Sequence, residues 1–400
     1  MEKKAVLFIS PQPFFERRGS PIRVKFNLLA LGKADYRVDL LTLPVGADVV
    51  LPNTTVHRVS NPFGWKNVPI GPGPKKLFFD LLILIRAFSL CKRSRYVLIH
   101  GVEEAGTLAV FLAKLFRTRA IFEKHSDPLS YKRGLFKSAL MKIYAKVERW
   151  TAGKAHAVIG TGQGLVDQVR SMRPEAAVYH IPDIASSVVD GSAEAAAEIR
   201  RAIGAQPEDV VILYAGSFAS YQGVDLLFDA VHQVVAKVPK ARFVVIGGKK
   251  SENAERLKQL EEANVSGSVY FAGSVDTDKL PGWLMAADIL LSPRISGVNS
   301  PLKVLDYLKS GRAIVATDVP ANRLLLDEEL ACFAQPDASA FAEQISRVAV
   351  DPELRAKLGK AGKLRFESQY TLDKHRERLS HCYRETLEKP RRKIRKRTKT

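Results

Sequence analysis

The residues best suited to chemistry lie in one stretch of the second half of the chain, Ser300-Pro301-Leu302-Lys303-Val304-Leu305-Asp306. Ser300 is a preferred helix N-cap residue and Pro301 suits a first turn, so the stretch predicts a helix start. Backbone amides at a helix N-terminus attract anions, and Lys303 adds positive charge. Asp306 follows Lys303 by about one turn, and its carboxylate can bind two ribose hydroxyls. The stretch predicts either a site for a phosphorylated nucleoside or a capped helix with a local ion pair.

Two strand ends that carry glycine extend this candidate site. The segment 214–223 predicts a strand that runs into a turn before a helix, and Gly216 permits close backbone approach there. Ser217 and Gln222 can donate hydrogen bonds to phosphate oxygens. A later strand ends at Gly273, whose backbone groups can pair with the edge of a nucleobase. The pattern favours nucleotide binding at one edge of a sheet.

Short β-branched runs alternate with helical patterns along both halves of the chain. Strands are predicted at 4–10, 37–43, 55–59, 96–100, 119–123 and 155–161, and again at 210–216, 241–247, 268–273, 289–292 and 313–317. A helix at 22–31 has Ser20 as its predicted N-cap. Strands separated by helices predict parallel sheets with helices on both faces. We therefore expect one domain at 1–185, a connection at 186–208 and a second domain at 209–370, with ligands bound in the cleft between the domains.

Composition and charge narrow the class of protein. The chain has 400 residues with 46% hydrophobic and 26% charged residues, which excludes disorder over most of its length. Three cysteines are too few for a disulfide framework, which favours a reducing cytosol. The apolar stretch 77–90 is interrupted by Asp80 and Arg86, so we interpret it as a buried, half-buried or interfacial helix rather than a membrane span. We identify no signal peptide.

Positive charge is concentrated in the first half and in the C-terminal tail. The net charge is +20, and residues 1–190 hold 29 basic and 15 acidic residues. A basic helix predicted at 131–154 places Leu135, Ala139, Ile143, Val147 and Trp150 on one face. It either lies on an anionic membrane leaflet or packs that face against the core. The tail at 389–400 carries eight basic residues, and we expect it to be disordered.

The order of these features resembles the retaining GT-B-fold glycosyltransferases of the family 4, or group 1, type. The resemblance spans roughly residues 5–385. It implies an α/β fold of two Rossmann-like, doubly wound domains that face each other across a cleft. It also implies that a terminal helix at 371–388 returns to the N-terminal domain.

The resemblance assigns site residues in both domains. The segment 19–24 stands where the family has a glycine-rich loop facing the donor, and His125 stands where a histidine contacts the transferred sugar. The implied catalytic residues are His125 and Asp306. The implied donor-binding residues are Gly19, Ser20, Arg23, Gly216, Ser217, Gln222, Gly273, Arg294, Ser300, Pro301, Leu302, Lys303 and Asp306.

Three positions depart from the family pattern. The acid that the family often has eight positions before Asp306 falls on Val298, and Asp306 itself stands where Glu is usual. Gln222 replaces the family's phosphate-binding lysine, a lost charge that Lys303, Arg294 or Arg23 would compensate. These departures motivate an alternative, a non-catalytic relative that binds nucleotide sugars.

The resemblance implies transfer of a hexose from a nucleotide-diphosphate sugar to a hydroxyl of a glycan or lipid-linked sugar, with retention of configuration. It implies neither a cofactor nor an obligatory metal, and the sequence has no Asp-x-Asp pair near a strand end. By analogy with the family, we expect a role in cell-surface polysaccharide or lipopolysaccharide synthesis. The expected location is cytoplasmic, or peripheral on the inner face of the cell membrane.

Two other classes of protein are weighed against this interpretation. The basic tail could bind nucleic acid without sequence preference, but no RNA- or DNA-binding module is recognisable, so no specific nucleic-acid partner is expected. A dehydrogenase is the competing enzyme. Its glycine pattern begins at Gly160 but has Leu165 in place of the third glycine.

Overall fold

The computed structural model describes residues 3–15, 19–68, 73–127, 135–297 and 300–388, and only the backbone for 135–140. These residues form two compact units. The first runs to Pro182 and includes the helix from His375 onward, and the second is Asp183–Lys374. Each unit is a parallel sheet with helices, which confirms the predicted fold class.

The first unit contains a seven-stranded sheet in the order β3-β2-β1-β4-β5-β6-β7. Its strands are β1 (Lys4–Ser10), β2 (Tyr36–Thr42), β3 (Thr54–Arg58), β4 (Leu98–Val102), β5 (Arg119–Lys124), β6 (Ala157–Gly160) and β7 (Val178–His180). Its helices are α1 (Gly19–Lys33), α2 (Pro74–Arg93), α3 (Ala105–Leu115), α4 (Leu135–Lys154) and α5 (Gln163–Met172). Residues 5–10 of β1 are all buried, as expected for a strand covered on both faces.

The second unit contains a six-stranded sheet in the order β10-β9-β8-β11-β12-β13. Its strands are β8 (Val210–Ala215), β9 (Ala241–Ile246), β10 (Val269–Gly273), β11 (Ile289–Ser292), β12 (Ala313–Thr317) and β13 (Cys332–Ala334). Its helices are α6 (Ala193–Ala202), α7 (Val224–Lys237), α8 (Lys250–Glu262), α9 (Leu280–Ala286), α10 (Leu302–Ser310), α11 (Pro320–Arg323), α12 (Ala338–Val350) and α13 (Pro352–Gln369). A last helix, α14 (Leu372–Glu388), follows them in the chain.

Two segments near the predicted domain boundaries have defined packing. In the segment expected to connect the domains, α6 packs on α9 within the second unit. The Arg200 guanidinium fixes this contact by donating to the backbone oxygen of Ala286 at 3.0 Å. In α14, the buried side chains Leu379, Cys382 and Tyr383 join the first unit's core. The tail 389–400 lies outside the described residues.

The two apolar helical segments of the first unit expose part of their apolar surface. In α2, Phe79 and Ile83 are buried while Leu77 is 72% exposed, so the helix is half-buried. In α4, Ile143 is 60% exposed and Trp150 is 45% exposed. The alternative that α4 packs its apolar face against the core is therefore wrong for these residues, whereas Leu135 and Ala139 lie outside the described side chains. Within the described ranges, no helix is long and apolar enough to cross a membrane.

Candidate functional site

The candidate site of the second unit lies where its strand order reverses, between β8 and β11. Gly216 directly follows β8, and Arg294 follows β11 by two residues. The helix α10 begins at Leu302, in the connection from β11 to β12. In open parallel sheets, ligands bind at the carboxyl ends of the strands at such a reversal. The predicted donor residues of this unit thus converge on the edge where a ligand is expected.

Lys303 places an ammonium group at this carboxyl edge of the second sheet, where no counter-charge faces it among the described residues. Its Nζ atom is buried, lacks a hydrogen-bond partner among the described residues, and lies 4.3 Å from the centroid of the Tyr214 ring. Burial, and to a smaller extent the charge of Arg294, lower the pKa of Lys303 to about 7. The alternative of a local ion pair between Lys303 and Asp306 is therefore wrong.

Arg294 is the second buried cation of the site. Its Nε donates to the backbone oxygen of Ser296 at 2.7 Å, and its guanidinium lies 5.1 Å from the Tyr221 ring centroid. Burial lowers its pKa. In the part of the chain that the structure describes, no carboxylate forms an ion pair with Arg294 or Lys303. Two buried cations without a counter-ion attract an anion.

Close backbone approach shapes the turn after β8. A Cβ atom on Gly216 would lie 3.3 Å from Lys303 Nζ and 2.8 Å from the Tyr214 hydroxyl. That hydroxyl donates to the backbone oxygen of Ser217 at 2.8 Å, which fixes the turn. Gly223 has φ 67°, and a Cβ there would meet the backbone oxygen of Pro293 at 1.8 Å. Only glycine fits either position without displacing its neighbours.

Gln222 lies in the same turn, two residues before α7 begins. Its Oε1 atom is buried and has no hydrogen-bond partner among the described residues. The donor that Gln222 can offer to a phosphate is its amide nitrogen rather than this oxygen. Gly273 ends the edge strand β10, and its backbone oxygen accepts the Gly247 amide at 2.7 Å. That oxygen is therefore already engaged.

The start of α10 differs from the prediction. Pro301 itself occupies the N-cap position in an extended conformation, and no side chain caps the helix. Ser300 is therefore not the cap, because the chain does not turn helical until Leu302. Among the described residues, no side chain caps the amides of the first helical turn, at Leu302 and Lys303, and amides in this position can donate to an anion.

Asp306 is buried on the second turn of α10 and has an internal partner. Its Oδ1 atom accepts the Ser186 backbone amide at 2.8 Å. Burial raises the pKa of Asp306 to about 6, against the lowering effect of the hydrogen bonds from Ser186. One turn further, Lys309 Nζ donates to the backbone oxygens of Ser187 and Val189 at 2.9 and 2.6 Å. The helix thus fastens the segment that opens the second unit.

In the first unit, His125 follows β5 and is held from three sides. Its Nδ1 lies 3.0 Å from the Ser20 hydroxyl, and its Nε2 lies 3.1 Å from Glu123 Oε1. Its backbone amide donates to Glu103 Oε1 at 3.0 Å. Ser20 lies inside α1, which begins at Gly19, so the prediction that it caps the helix is wrong. Its hydroxyl instead contacts the histidine that the resemblance singles out.

Glu123 is the centre of a buried polar network. Its carboxylate accepts Asn27 Nδ2 at 2.8 Å, lies 2.8 Å from His100 Nε2, and forms an ion pair with Arg23. Burial alone would raise the pKa of Glu123, but Arg23 and the two histidines hold it well below its usual value. Burial would lower the pKa of His125, yet the Glu123 carboxylate raises it above the ordinary value.

Arg23 forms an ion pair within the first unit. Its guanidinium pairs with the buried Glu123 and donates to the backbone oxygen of Ile181 at 2.8 Å. The charge of Arg23 is thus balanced within the first unit, and its compensation for the charge missing at Gln222 stays a prediction. Gly19 is the first residue of α1, and a Cβ atom added to it would meet no other described group within 4 Å. Val298, where the family often has an acid, lies outside the described residues.

Sequence reasoning missed the network around His125. A signal for Glu123 was present, because alternate residues of a strand share a face and Glu123, which precedes His125 by two positions, follows the apolar run 120–122. No local signal links His100 to Tyr383, although His100 Nδ1 lies 2.7 Å from the Tyr383 hydroxyl. Among the described residues, no cluster of three His, Cys, Asp or Glu side chains could hold a metal ion.

The chain matches two family models in succession. Residues 27–182 match the family described as glycosyl transferase 4-like domain, and residues 209–351 match glycosyl transferases group 1. The two matches fall one in each unit.

Individual proteins give similar matches. The chain is 25% identical to alpha-D-kanosaminyltransferase of Streptomyces kanamyceticus, over 63% of this chain and 66% of that protein. It is 26% identical to phosphatidyl-myo-inositol mannosyltransferase of Mycolicibacterium smegmatis, over 37% of this chain and 38% of that protein. The matched segments thus span less than two thirds of these relatives.

A solved structure supports the same assignment of fold. Sucrose-phosphate synthase from Thermosynechococcus elongatus superimposes with a TM-score of 0.74 and 22% identity, over 96% of this chain and 99% of that one. Two parallel α/β units, a match to a family model in each, and this likeness of fold agree with one another. The chain belongs to the group 1, family 4-like glycosyltransferases of GT-B fold.

Proposed function

We propose that this protein transfers a hexose from a nucleotide-diphosphate sugar to a hydroxyl of a glycan or lipid-linked sugar, with retention of anomeric configuration. The observation that carries the proposal is the pair of buried cations, Lys303 and Arg294, beside the uncapped start of α10. A diphosphate supplies the anion that this arrangement lacks.

The same groups stabilise the reaction's developing charge. When the bond between the sugar and the diphosphate breaks, negative charge accumulates on the departing phosphate oxygens. The Lys303 ammonium and the amides of the first turn of α10 are fixed donors, so they stabilise that charge without reorganising. Gly216 keeps the space between Lys303 and the turn after β8 open. Ser217 and Gln222 are proposed as further donors to the phosphates.

Asp306 is proposed to bind the ribose of the donor. A carboxylate offers about four acceptor sites, so the hydrogen bonds from Ser186 and Ser187 leave acceptor capacity for the ribose. Gly273, at the end of β10, remains the proposed neighbour of the base. No step of this proposal requires a metal ion or a cofactor, and we expect transfer to persist when divalent ions are chelated.

His125 is proposed to contact the transferred sugar, and Glu123 is proposed as its positioning residue. The Glu123 carboxylate favours the imidazolium form and orients the ring through Nε2. The opposite ring nitrogen, Nδ1, faces the Ser20 hydroxyl. A sugar hydroxyl that takes the place of Ser20 at Nδ1 would receive a charge-assisted hydrogen bond from the positively charged His125.

The acceptor and pathway are proposed from family analogy. One relative is by name a phosphatidyl-myo-inositol mannosyltransferase, which supports a lipid-linked acceptor. We propose a role in cell-surface polysaccharide or lipopolysaccharide synthesis, at the cytoplasmic face of the cell membrane.

The donor proposal is tested by a thermal-shift panel of UDP-, GDP-, ADP- and TDP-sugars. Wild-type protein is compared with Lys303→Met and with a matched control, Lys363→Met, whose lysine is exposed. We expect one nucleotide to stabilise the wild type and the control but not Lys303→Met. Equal stabilisation of all three proteins would refute the site, and no stabilisation by any donor would count against donor binding.

The second candidate is a non-catalytic relative that binds nucleotide sugars. Gln222, a neutral side chain where the family has a phosphate-binding lysine, favours it. Donor binding without release of the nucleotide, in the presence of membrane-lipid acceptors, would support this candidate over transfer.

A further inference from the structure

We propose that the outer surface of helices α2, α3 and α4 is a docking surface for an anionic phospholipid bilayer. The surface is defined by nine exposed apolar side chains, here called the apolar face. They are Leu77, Leu81, Leu84 and Ile85 of α2, Phe111 and Leu115 of α3, and Ile143, Val147 and Trp150 of α4. These are nine of the twenty exposed large hydrophobic side chains among the described residues. Exposed hydrophobic side chains that are scattered singly need no explanation, whereas a concentration of them on one surface marks an interaction site.

The three helices lie side by side within the first unit. Helix α3 packs against both α2 and α4. Lys76 of α2 forms an ion pair with Glu104 at the start of α3, with Nζ and Oε1 2.7 Å apart. The hydroxyls of Thr107 in α3 and Thr151 in α4 lie 2.8 Å apart. The exposed side chains therefore belong to one surface rather than to three separate ones.

Helix α2 carries apolar residues on two opposite sides. Its inner stripe, which includes Phe79 and Ile83, is buried against the sheet. Its outer stripe, at positions 77, 81, 84 and 85, has helical spacing and remains exposed. The inner stripe already secures the helix to the core, so folding of this unit does not require the outer one.

Charge indicates the partner of this surface. The sequences of the three helices hold eleven basic and two acidic residues. Glu148 pairs with Lys124 of β5, and Asp80 pairs with the buried Lys76, so the other ten basic residues exceed the acids of these helices. A second copy of the chain would bring the same positive charge to the face. Anionic lipid headgroups instead complement this positive charge, and each lysine or arginine near the membrane surface interacts favourably with them.

Helix α4 arranges apolar and basic side chains as an interfacial helix does. Each exposed apolar residue of α4 directly follows an exposed basic residue. Ile143 follows Lys142, Val147 follows Lys146, and Trp150 follows Arg149. Apolar side chains can enter the boundary between headgroups and acyl chains while long basic side chains reach the phosphates. On α2, Lys75 and Lys92 flank the apolar stripe at its two ends and are exposed. The face thus offers both kinds of contact that peripheral binding requires.

This inference deepens the proposed function. It rests on that function in one respect, since membrane docking would bring the protein to a lipid-linked acceptor. Its test does not depend on that function. Flotation measures membrane binding alone, so a protein that binds membranes but transfers no sugar is distinguished from one that transfers without binding.

The test is flotation of the full-length chain with vesicles of phosphatidylcholine, alone or with phosphatidylglycerol. The apolar variant is Leu77→Ser, Leu81→Ser and Ile85→Ser, and its control changes three exposed residues of the second unit, Leu324→Ser, Val350→Ser and Leu364→Ser. The charge variant is Lys142→Gln, Lys146→Gln and Arg149→Gln, with Lys357→Gln, Lys360→Gln and Lys363→Gln as its control. The basic tail is the same in every protein, so it cannot cause a difference between them.

We expect the wild type to float only with anionic vesicles. The apolar variant should lower the partition coefficient at least about tenfold, and the charge variant about a hundredfold, while both controls float as the wild type does. Equal flotation of the variants and their controls would overturn the proposal. So would a wild-type dimer that does not float and that the apolar variant dissociates in light scattering, because a second copy would then cover the face.

Discussion

Lys303 is predicted to make donor binding depend steeply on pH. Its pKa of about 7 in the free protein reflects burial and the nearby charge of Arg294. A bound diphosphate supplies the missing counter-charge, so the pKa in the complex should return toward the ordinary value near 10.4. Binding then takes up a proton whenever Lys303 is neutral. Affinity should change less than about twofold between pH 6 and 7 and fall about 30-fold between pH 6 and 8.5.

The same pKa shift predicts the stability of Lys303→Met. Because the folded pKa lies below the unfolded one, the unfolded chain binds more protons between pH 7 and 10.4, so stability rises with pH there. The free-energy cost of burying the charged Lys303 is fully present below pH 7. Replacing the ammonium with a thioether removes it, so the free energy of unfolding at pH 7 should rise by up to about 4 kcal/mol. The variant should also lose donor affinity.

Isothermal titration with the stabilising nucleotide sugar, from pH 6 to 8.5, measures the first effect, and urea unfolding measures the second. Lys363→Met serves as the control for both, since its lysine is exposed. A donor affinity that does not change with pH in the wild type would refute the reasoning. So would a Lys303→Met protein less stable than the wild type, since that would make the ammonium a structural group.

Three further predictions concern neighbouring residues. Glu123→Gln should leave Arg23 as an uncompensated buried charge and lower the free energy of unfolding by roughly 3–5 kcal/mol. NMR titration should then show the pKa of His125 lowered, whereas a merely structural Glu123 would leave that pKa unchanged. Asp306→Asn should weaken nucleotide binding at least about tenfold by titration calorimetry, through weaker hydrogen bonds to the ribose. Because burial raises the pKa of Asp306 to about 6, wild-type stability should fall as pH rises from 4 to 6. The Asp306→Asn substitution should abolish that dependence, and its persistence would contradict the assignment. Gly216→Ala should cost about 1–3 kcal/mol in urea unfolding and weaken donor binding, because its Cβ would press on Tyr214 and Lys303. An unchanged donor affinity in that variant would count against close approach at this turn.

The sequence predicted the sheets better than the contacts. Alternation of buried strands with helices predicted most strands of both units, because a strand covered on both faces is a continuous apolar run. The short strands β7 and β13 have only three residues each and carry too little pattern to be recognised. The start of α10 was placed at Ser300 because Ser is a preferred cap, yet Pro301 in extended conformation delays the helix.

The electrostatics of the sites depended on residues far apart in the chain. Lys303 and Arg294 were singled out as charges, but their burial without a counter-ion depends on how β8, β11 and α10 meet. Arg23 was expected to serve the donor because sequence alone does not reveal its partner, Glu123, a hundred residues away. The exposure of the apolar stripe of α4 could not be predicted either, since a helical period does not say which face meets the core.

Release of the nucleoside diphosphate from the stabilising nucleotide sugar, in the presence of membrane-lipid acceptor, tests the central claim most directly. It is measured by chromatography for the wild type, Lys303→Met and Lys363→Met. We expect acceptor-dependent release by the wild type and by Lys363→Met, with a loss of at least about a hundredfold in Lys303→Met. Tight donor binding without release of the nucleoside diphosphate by any of the three proteins, whichever membrane-lipid acceptor is supplied, would contradict the assignment of glycosyl transfer.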